Sequence, residues 1–187
     1  MQLTTSAIAV AHALLRTRLQ TASVVVDATA GNGGDTLFLA ENSPPQARVY
    51  AFDIQEQALA ETKRKTAAYS DKVCCIAAGH ERVDEYIAEP VDAAIFNLGY
   101  LPGGDHAVTT TVESTLPAVG HMLEKLSLNG VLAIVAYPGH EAGQEEQQQL
   151  GMLLAELPKK KFTAGLYQLL NHDGAGPVLY LIEKVRR

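Results

Sequence analysis

Val24-Val25-Val26-Asp27-Ala28-Thr29-Ala30-Gly31-Asn32-Gly33-Gly34-Asp35-Thr36 decides the fold of this chain. Three consecutive β-branched residues predict a parallel strand buried on both faces. The strand ends at an acid, Asp27, and a Gly-x-Gly turn follows. Thr36-Leu37-Phe38-Leu39-Ala40 then reads as helix. A strand, a tight glycine turn and a helix N-terminus form a nucleotide pocket at the carboxyl edge of an open sheet. Further out, Val49-Tyr50-Ala51-Phe52-Asp53 predicts a second buried strand that also ends in an acid. A carboxylate there can accept two hydrogen bonds from a ribose diol.

That arrangement admits two cofactors. A dinucleotide fingerprint is Gly-x-Gly-x-x-Gly, and this chain has Thr36 at the third glycine. Asp35 also stands at the helix start, where a pyrophosphate needs free N–H groups and the positive end of the dipole. S-adenosylmethionine has no phosphate and carries a cationic sulfonium and an α-amino group. Asp27 and Asp35 suit those charges, so S-adenosylmethionine is the expected cofactor. A nicotinamide or flavin nucleotide and a turn without ligand are the alternatives.

The chain has 187 residues and is 47% hydrophobic, which fits one globular domain spanning residues 1–187. No apolar run approaches the ~18 residues of a membrane span, and the N-terminus lacks the basic-then-apolar pattern of a signal peptide. No membrane partner is expected. Cys74 and Cys75 are adjacent, without metal spacing or a disulfide partner. They read as small residues in a buried strand, and a cytoplasmic location is expected. The net charge of −6 excludes a general polyanion binder. Basic residues are nonetheless bunched at Arg16 and Arg18, Lys63-Arg64-Lys65, Lys159-Lys160-Lys161, and Lys184 with Arg186-Arg187. Such bunches are either solvated surface or a local phosphate-contacting rim.

A helix is predicted over 3–20, with Leu3, Ile8, Leu14, Leu15 and Leu19 as its apolar residues. Strands are predicted at 23–28, 47–52, 73–77, 91–96, 130–136, 162–170 and 177–184. Helices fall near 34–41, 55–68, 81–88, 110–127 and 141–156. Alternation with short connections specifies an α/β, Rossmann-like, doubly wound parallel sheet. The last two strands have no helix between them, so they pair antiparallel. A seven-stranded, mainly parallel sheet with one reversed edge strand is the class I methyltransferase architecture. Pro117 should kink the fourth of these helices or mark a later start.

A second informative stretch ends the fourth strand: Asn97-Leu98-Gly99-Tyr100-Leu101-Pro102-Gly103-Gly104-Asp105-His106. Open α/β sheets place ligands outside the carboxyl ends of their strands, which sets Asn97 beside Asp27 and Asp53. The loop resembles the Asn-Pro-Pro-Tyr loop of amino-group methyltransferases. An Asn oxygen and the next backbone carbonyl can accept both N–H groups of an amine and aim its lone pair at a methyl. Asn97, the Leu98 carbonyl and Tyr100, with its base-stacking ring, take those places. Leu98-Gly99 replaces the two prolines, which makes the loop less rigid. The blander readings are a turn cap for Asn97 and packing on the sheet edge for Tyr100. Asp105 and His106 are candidate proton acceptors. Tyr137-Pro138-Gly139-His140 follows the fifth strand, so Tyr137 and His140 can face the same crevice as substrate contacts. His80, after the third strand, stands where an adenine is contacted. His12, His121 and His172 have no motif context. No His, Cys and carboxylate group has metal spacing, so no metal is expected.

Taken together, Asp27–Thr36, Phe52-Asp53-Ile54-Gln55, Asn97–Asp105 and Tyr137–His140 resemble the YtqB-like group of rRNA methylases, assigned as the tRNA methyltransferase MnmM. The resemblance covers nearly the whole chain. It implies a class I fold and methylation of the aminomethyl nitrogen of 5-aminomethyl-2-thiouridine at the tRNA wobble position, with the tRNA anticodon stem-loop as partner. It implies cofactor contacts from Asp27, Thr29, Gly31, Asn32, Gly33, Asp35, Thr36, Asp53, Ile54, Gln55, His80, Asn97, Leu98 and Gly99. Gly34 departs from the larger residue expected there, and His106 from an expected lysine. A homodimer and a monomer both stay open. The competing functions are an rRNA or small-amine methyltransferase sharing the cofactor half, and a non-catalytic S-adenosylmethionine-binding module. A pure binder needs no amine-orienting loop. A small-amine enzyme needs a lid in place of a basic rim.

Overall fold

The computed structural model describes residues 6–101, 103, 109–139, 141–171 and 176–186. Seven strands are ordered β3-β2-β1-β4-β5-β7-β6 in one sheet. Their bounds are β1 Val24–Asp27, β2 Arg48–Asp53, β3 Val73–Ala77, β4 Val91–Asn97, β5 Leu126–Ala136, β6 Phe162–Tyr167 and β7 Val178–Lys184. The helices are α1 Ala7–Leu19, α2 Gly34–Asn42, α3 Glu56–Lys65, α4 Val83–Tyr86, α5 Val112–Lys125 and α6 Glu141–Ala155. Short 3-10 turns cover Ala67–Tyr69 and His80–Arg82.

Side chains of a strand alternate between faces, and both faces are covered here. Val24, Val26, Ala94, Phe96, Leu132 and Ile134 point to a core built with Val119 and Met122 of α5 and Leu150 and Leu154 of α6. Val25, Ala93, Ile95, Ala133 and Val135 point to the other core, with α1 and α2. Full burial on two sides is why these strands read as unbroken apolar runs.

Helix α1 buries Ala7, Ala11, Leu15 and Leu19, one residue per turn, against this second core. The apolar residues expected to do so are only partly right. Leu14 is exposed, Ile8 is only partly buried, and the alanines make the close approach. Leu3 lies outside the described residues.

The antiparallel pairing of the last strands is present, with β7 reversed against both β5 and β6. The reversed strand is not the edge, however. It inserts between β5 and β6, so β6 becomes the edge. The other edge is β3, which is why Cys74 is exposed and Cys75 only half-buried, against the expectation of a buried strand. Helix α5 starts at Val112 and runs through Pro117, so that proline does not mark a later start. A capping box between Thr111 and Ser114 secures the earlier one.

Register brings the functional ends together. Asp27 is level with Ala51 of β2 and Ile95 of β4, so Asp27, Asp53 and Asn97 end their strands at one edge of the sheet. At the opposite edge, β4 and β5 begin with Val91 beside Leu126, and Phe162 pairs with Lys184. Asp92 ties that end shut. It pairs with Arg18, accepts the Ser23 N–H at 2.7 Å and accepts the Ser127 hydroxyl at 2.7 Å.

Candidate active site

The glycine turn is held from both sides. The Ala30 N–H donates to the Phe52 carbonyl at 2.8 Å, and the Gly31 N–H donates to Asp53 Oδ2 at 2.8 Å. Asp53 Oδ1 accepts the Gln55 N–H at 2.9 Å, which shapes the start of α3. Gly33 caps α2 with a φ of 73°, in the left-handed region that favours glycine. A Cβ there would stand 2.8 Å from Thr62 Cα, so the position requires glycine for space as well as for backbone. Thr62 Oγ1 donates to the Gly31 carbonyl at 3.0 Å, and Lys65 Nζ donates to the Asn32 carbonyl at 2.7 Å. Among the described residues nothing beyond α2's own backbone lies within 4 Å of a Cβ built on Gly34, so the larger residue expected there would fit.

The two acids flanking the turn differ. Asp27 is fully buried. It accepts the Thr36 hydroxyl at 2.6 Å and the Thr29 N–H at 3.1 Å. Burial, and then the charge of Asp35, push its carboxyl up from 3.8 to about 7. Asp27 therefore braces the turn from inside. Asp35, in the first turn of α2, is also buried. Its Oδ1 meets His12 Nε2 at 2.7 Å, and its Oδ2 accepts from Asn97 Nδ2 at 3.2 Å. The Asn97 N–H donates to Thr29 Oγ1 at 2.7 Å, which ties the end of β4 to the turn.

The Leu98 N–H donates to the Val135 carbonyl at 2.9 Å and its side chain is buried. Gly99 has a φ of 114°. Its N–H donates to Thr110 Oγ1 at 2.8 Å, and that hydroxyl donates to Glu146 Oε2 at 3.1 Å. Glu146 of α6 is buried and also accepts the Thr115 hydroxyl at 2.6 Å. Tyr100, 42% exposed, bridges to Thr109. Tyr137 lies beside Gly99; burial and then the Asp35 charge raise its phenol above the usual range.

On the other flank Ile54 is 63% exposed. His80 is buried, and burial pushes its imidazole below the usual range, so it is neutral at pH 7. The Ala28 backbone hydrogen bonds the ring, whereas His80 Nε2 has no partner among the described residues.

At the carboxyl edge of the sheet, hydrogen bonds thus join Asp27 to Thr29 and Thr36, Gly31 to Asp53, and Asn97 to Thr29 and Asp35, while Tyr137 approaches Gly99. Asp105, His106 and His140 lie outside the described residues, as does His172. Two site residues carried no legible signal. His12 comes from a helix that precedes the first strand, and Glu146 sits in the run Glu145-Glu146-Gln147-Gln148-Gln149 of α6, where nothing in the sequence marks one residue as buried. Among the described residues, no group of three or more His, Cys, Asp and Glu could hold a metal, and no helix is long and apolar enough to cross a membrane.

Comparison with known proteins adds to this geometry. A family model described as "Putative rRNA methylase" matches residues 49–183. A chloroplastic tRNA (mnm(5)s(2)U34)-methyltransferase of Arabidopsis thaliana is 30% identical over 187 residues, covering 94% of this chain and 68% of the relative. The crystal structure of a "putative rRNA-methylase" from Clostridium thermocellum matches with a TM-score of 0.93 and 38% identity, over 96% of this chain and 97% of that one. A "putative methyltransferase" of Streptococcus mutans, in complex with SAH, matches with a TM-score of 0.87 and 41% identity, over 96% and 98% of the two chains.

Proposed function

The chain belongs to the rRNA methylase family and is an S-adenosylmethionine-dependent methyltransferase, and we propose that it methylates the aminomethyl nitrogen of 5-aminomethyl-2-thiouridine at the wobble position of tRNA. The product is 5-methylaminomethyl-2-thiouridine. The observation that carries this reading is the hydrogen bond from Asn97 Nδ2 to Asp35. A carboxylate can only accept, so that bond commits one of the two Asn97 amide N–H groups, fixes which end of the amide faces Asp35, and leaves Oδ1 to accept an N–H from an amine. The Leu98 carbonyl takes the second N–H, and the exposed Tyr100 ring offers a face to a base. The Arabidopsis relative is named for this nucleoside, which supports the same acceptor here.

The residues present fit the cofactor. Asp53 keeps lone pairs for the ribose hydroxyls beyond the two backbone N–H groups it already accepts. The exposed Ile54 would cover one face of the adenine; His80 Nε2, which has no partner among the described residues, is shielded from solvent and would reach the base only if its cover shifted. Gly31, Asn32 and Gly33 would pass the methionine end. S-adenosylmethionine supplies an electrophilic methyl: a nitrogen lone pair forms the new N–C bond as the C–S bond breaks, its electron pair stays on sulfur, and the nitrogen then loses a proton.

A primary alkylamine has a reference pKa near ~10.4 and attacks only when neutral. Desolvation in the site favours the neutral amine over the cation, and the two uncharged acceptors, Asn97 and Leu98, attract the cation less than a carboxylate would. Proton-accepting roles for Asp105 and His106, and substrate contact by His140 and Tyr137, belong to the same proposal. So do a single methyltransferase domain over residues 1–187 and a cytoplasmic location, which two free cysteines support.

The test is methyl transfer to hypomodified tRNA. Asn97→Ala should lower kcat about 10²-fold, the cost of a misplaced acceptor. Its S-adenosylmethionine affinity should fall far less than its turnover. A native rate in this variant contradicts the amine-orienting role.

A further inference from the structure

We infer that His12 is a positioning residue for methyl transfer: through Asp35 it fixes the Asn97 amide so that Oδ1 faces the acceptor nitrogen. The inference rests on the reading of Asn97 above and deepens it.

Three residues from three elements form one chain of hydrogen bonds. His12 is on α1, Asp35 on α2 and Asn97 at the end of β4. The links are 2.7 Å and 3.2 Å, each to a different oxygen of Asp35. An amide can flip its N and O ends at almost no steric cost. Here the flip would set an oxygen against a carboxylate oxygen, so Asp35 decides the orientation of Asn97. Asp35 can decide it only while its own carboxylate is held. With Oδ1 unpaired, the group is free to rotate toward other donors.

His12 is built to hold it. Its ring lies flat on Phe38, with centroids 3.7 Å apart and planes 1° from parallel. Phe38 is pinned in turn by the Arg16 guanidinium, 5.5 Å from its centroid, which donates to Asn42 Oδ1 at 2.6 Å. His12 and Arg16 are one turn apart on α1, so both grip α2. A carboxylate only accepts, so the proton of this bond sits on His12 Nε2.

Two variants separate the donor from the packing. His12→Phe keeps a flat ring on Phe38 and removes the donor. His12→Gln offers an amide N–H near the place of Nε2. On hypomodified tRNA, His12→Phe should lower kcat about tenfold, the worth of one hydrogen bond to a charged group. KM for S-adenosylmethionine and the melting temperature should hardly move, and His12→Gln should recover most of the rate. A native kcat in His12→Phe, or equal losses in both variants, overturns the inference.

Asn97→Ala in the same assay tells the two claims apart. A loss there without one in His12→Phe removes His12 alone; no loss there removes the Asn97 reading beneath it. A readout independent of substrate is the ¹⁵N spectrum of the protein. It should show His12 protonated at Nε2, and an Asn97 side-chain signal that moves in His12→Phe and returns in His12→Gln. A bare Nε2, or an Asn97 signal indifferent to both variants, overturns the inference as well.

Discussion

At the scale of single residues, the site depends on carboxylates given different work. Asp53 spends two acceptor sites on backbone N–H groups and keeps the rest. A hydrogen bond to a charged group contributes ~1.5–3 kcal/mol, so Asp53→Ala should weaken S-adenosylmethionine binding roughly ten- to a hundredfold. Calorimetry on the purified protein measures this, and unchanged affinity would remove Asp53 from the cofactor. Asp27 is the opposite case. Its carboxyl is pushed up to about 7 by burial and then by Asp35. Between the unfolded value of 3.8 and about 7, the folded chain holds a proton that the unfolded chain has lost. This group therefore makes stability fall as pH rises through that window. A ¹³C titration should find Asp27 ionising near neutrality, and lower in Asp35→Asn; a value near 3.8 in the native protein contradicts its enclosure. Both acids were legible as strand ends. Their division of labour was not, because it is set by Thr36 and Thr29 closing over one of them and not the other. His12 was invisible for a related reason: a histidine among small helix residues has no spacing that links it to a partner 23 positions away.

At the scale of elements, the glycine turn proposed to take the cofactor is also a packing device. Gly33→Ala would put a methyl against Thr62 Cα and force a left-handed Cβ residue, which costs about 1–2 kcal/mol from the backbone alone. A lower melting temperature and weaker S-adenosylmethionine binding should appear together. Native values of both would mean that α3 does not hold the turn. Asp92 has the corresponding role at the far edge, where it joins α1, β1 and β5. Burial acts to raise its carboxyl, but the N–H groups of Ser23 and Val24, the Ser127 hydroxyl and Arg18 together hold it below the usual range. The stability it contributes is present above the unfolded pKa and lost as pH falls through the folded one. Asp92→Ala should cost about 3 kcal/mol, because it leaves the Arg18 charge half-buried without a charged partner. Thermal unfolding near pH 7 tests this, and a change below about 0.5 kcal/mol would class the pair with surface ion pairs. The strands were readable because double burial forces apolar runs. The place of β7 between β5 and β6 was not readable, since a hairpin states which strands pair but not which of them faces the sheet.

At the scale of the whole molecule, the basic bunches separate. Lys161 and Lys184 lie at the edge away from the crevice, where Lys184 Nζ donates to the carbonyls of Glu124 and Leu126. Arg18 is committed to Asp92. Lys63-Arg64-Lys65 instead borders the glycine turn, through Lys65 on Asn32. That bunch is the part of a basic rim that a tRNA backbone near the crevice would meet. Its charge reversal should weaken tRNA binding and flatten its salt dependence, by about 0.7 to 0.9 in log–log slope per lost contact. The same reversal at Lys159-Lys160-Lys161 should change neither. Composition showed the bunches and could not place them, because their position follows from strand direction. The central claim, an acceptor nitrogen on the wobble uridine of tRNA, meets its most direct test in nucleoside mass spectrometry of tRNA from a strain lacking this protein. The account predicts that 5-aminomethyl-2-thiouridine accumulates, that its N-methyl product disappears, and that both reverse when the wild-type chain, but not Asn97→Ala, is returned. An unchanged tRNA nucleoside profile, with a methyl group missing from rRNA or from a small amine instead, would contradict it.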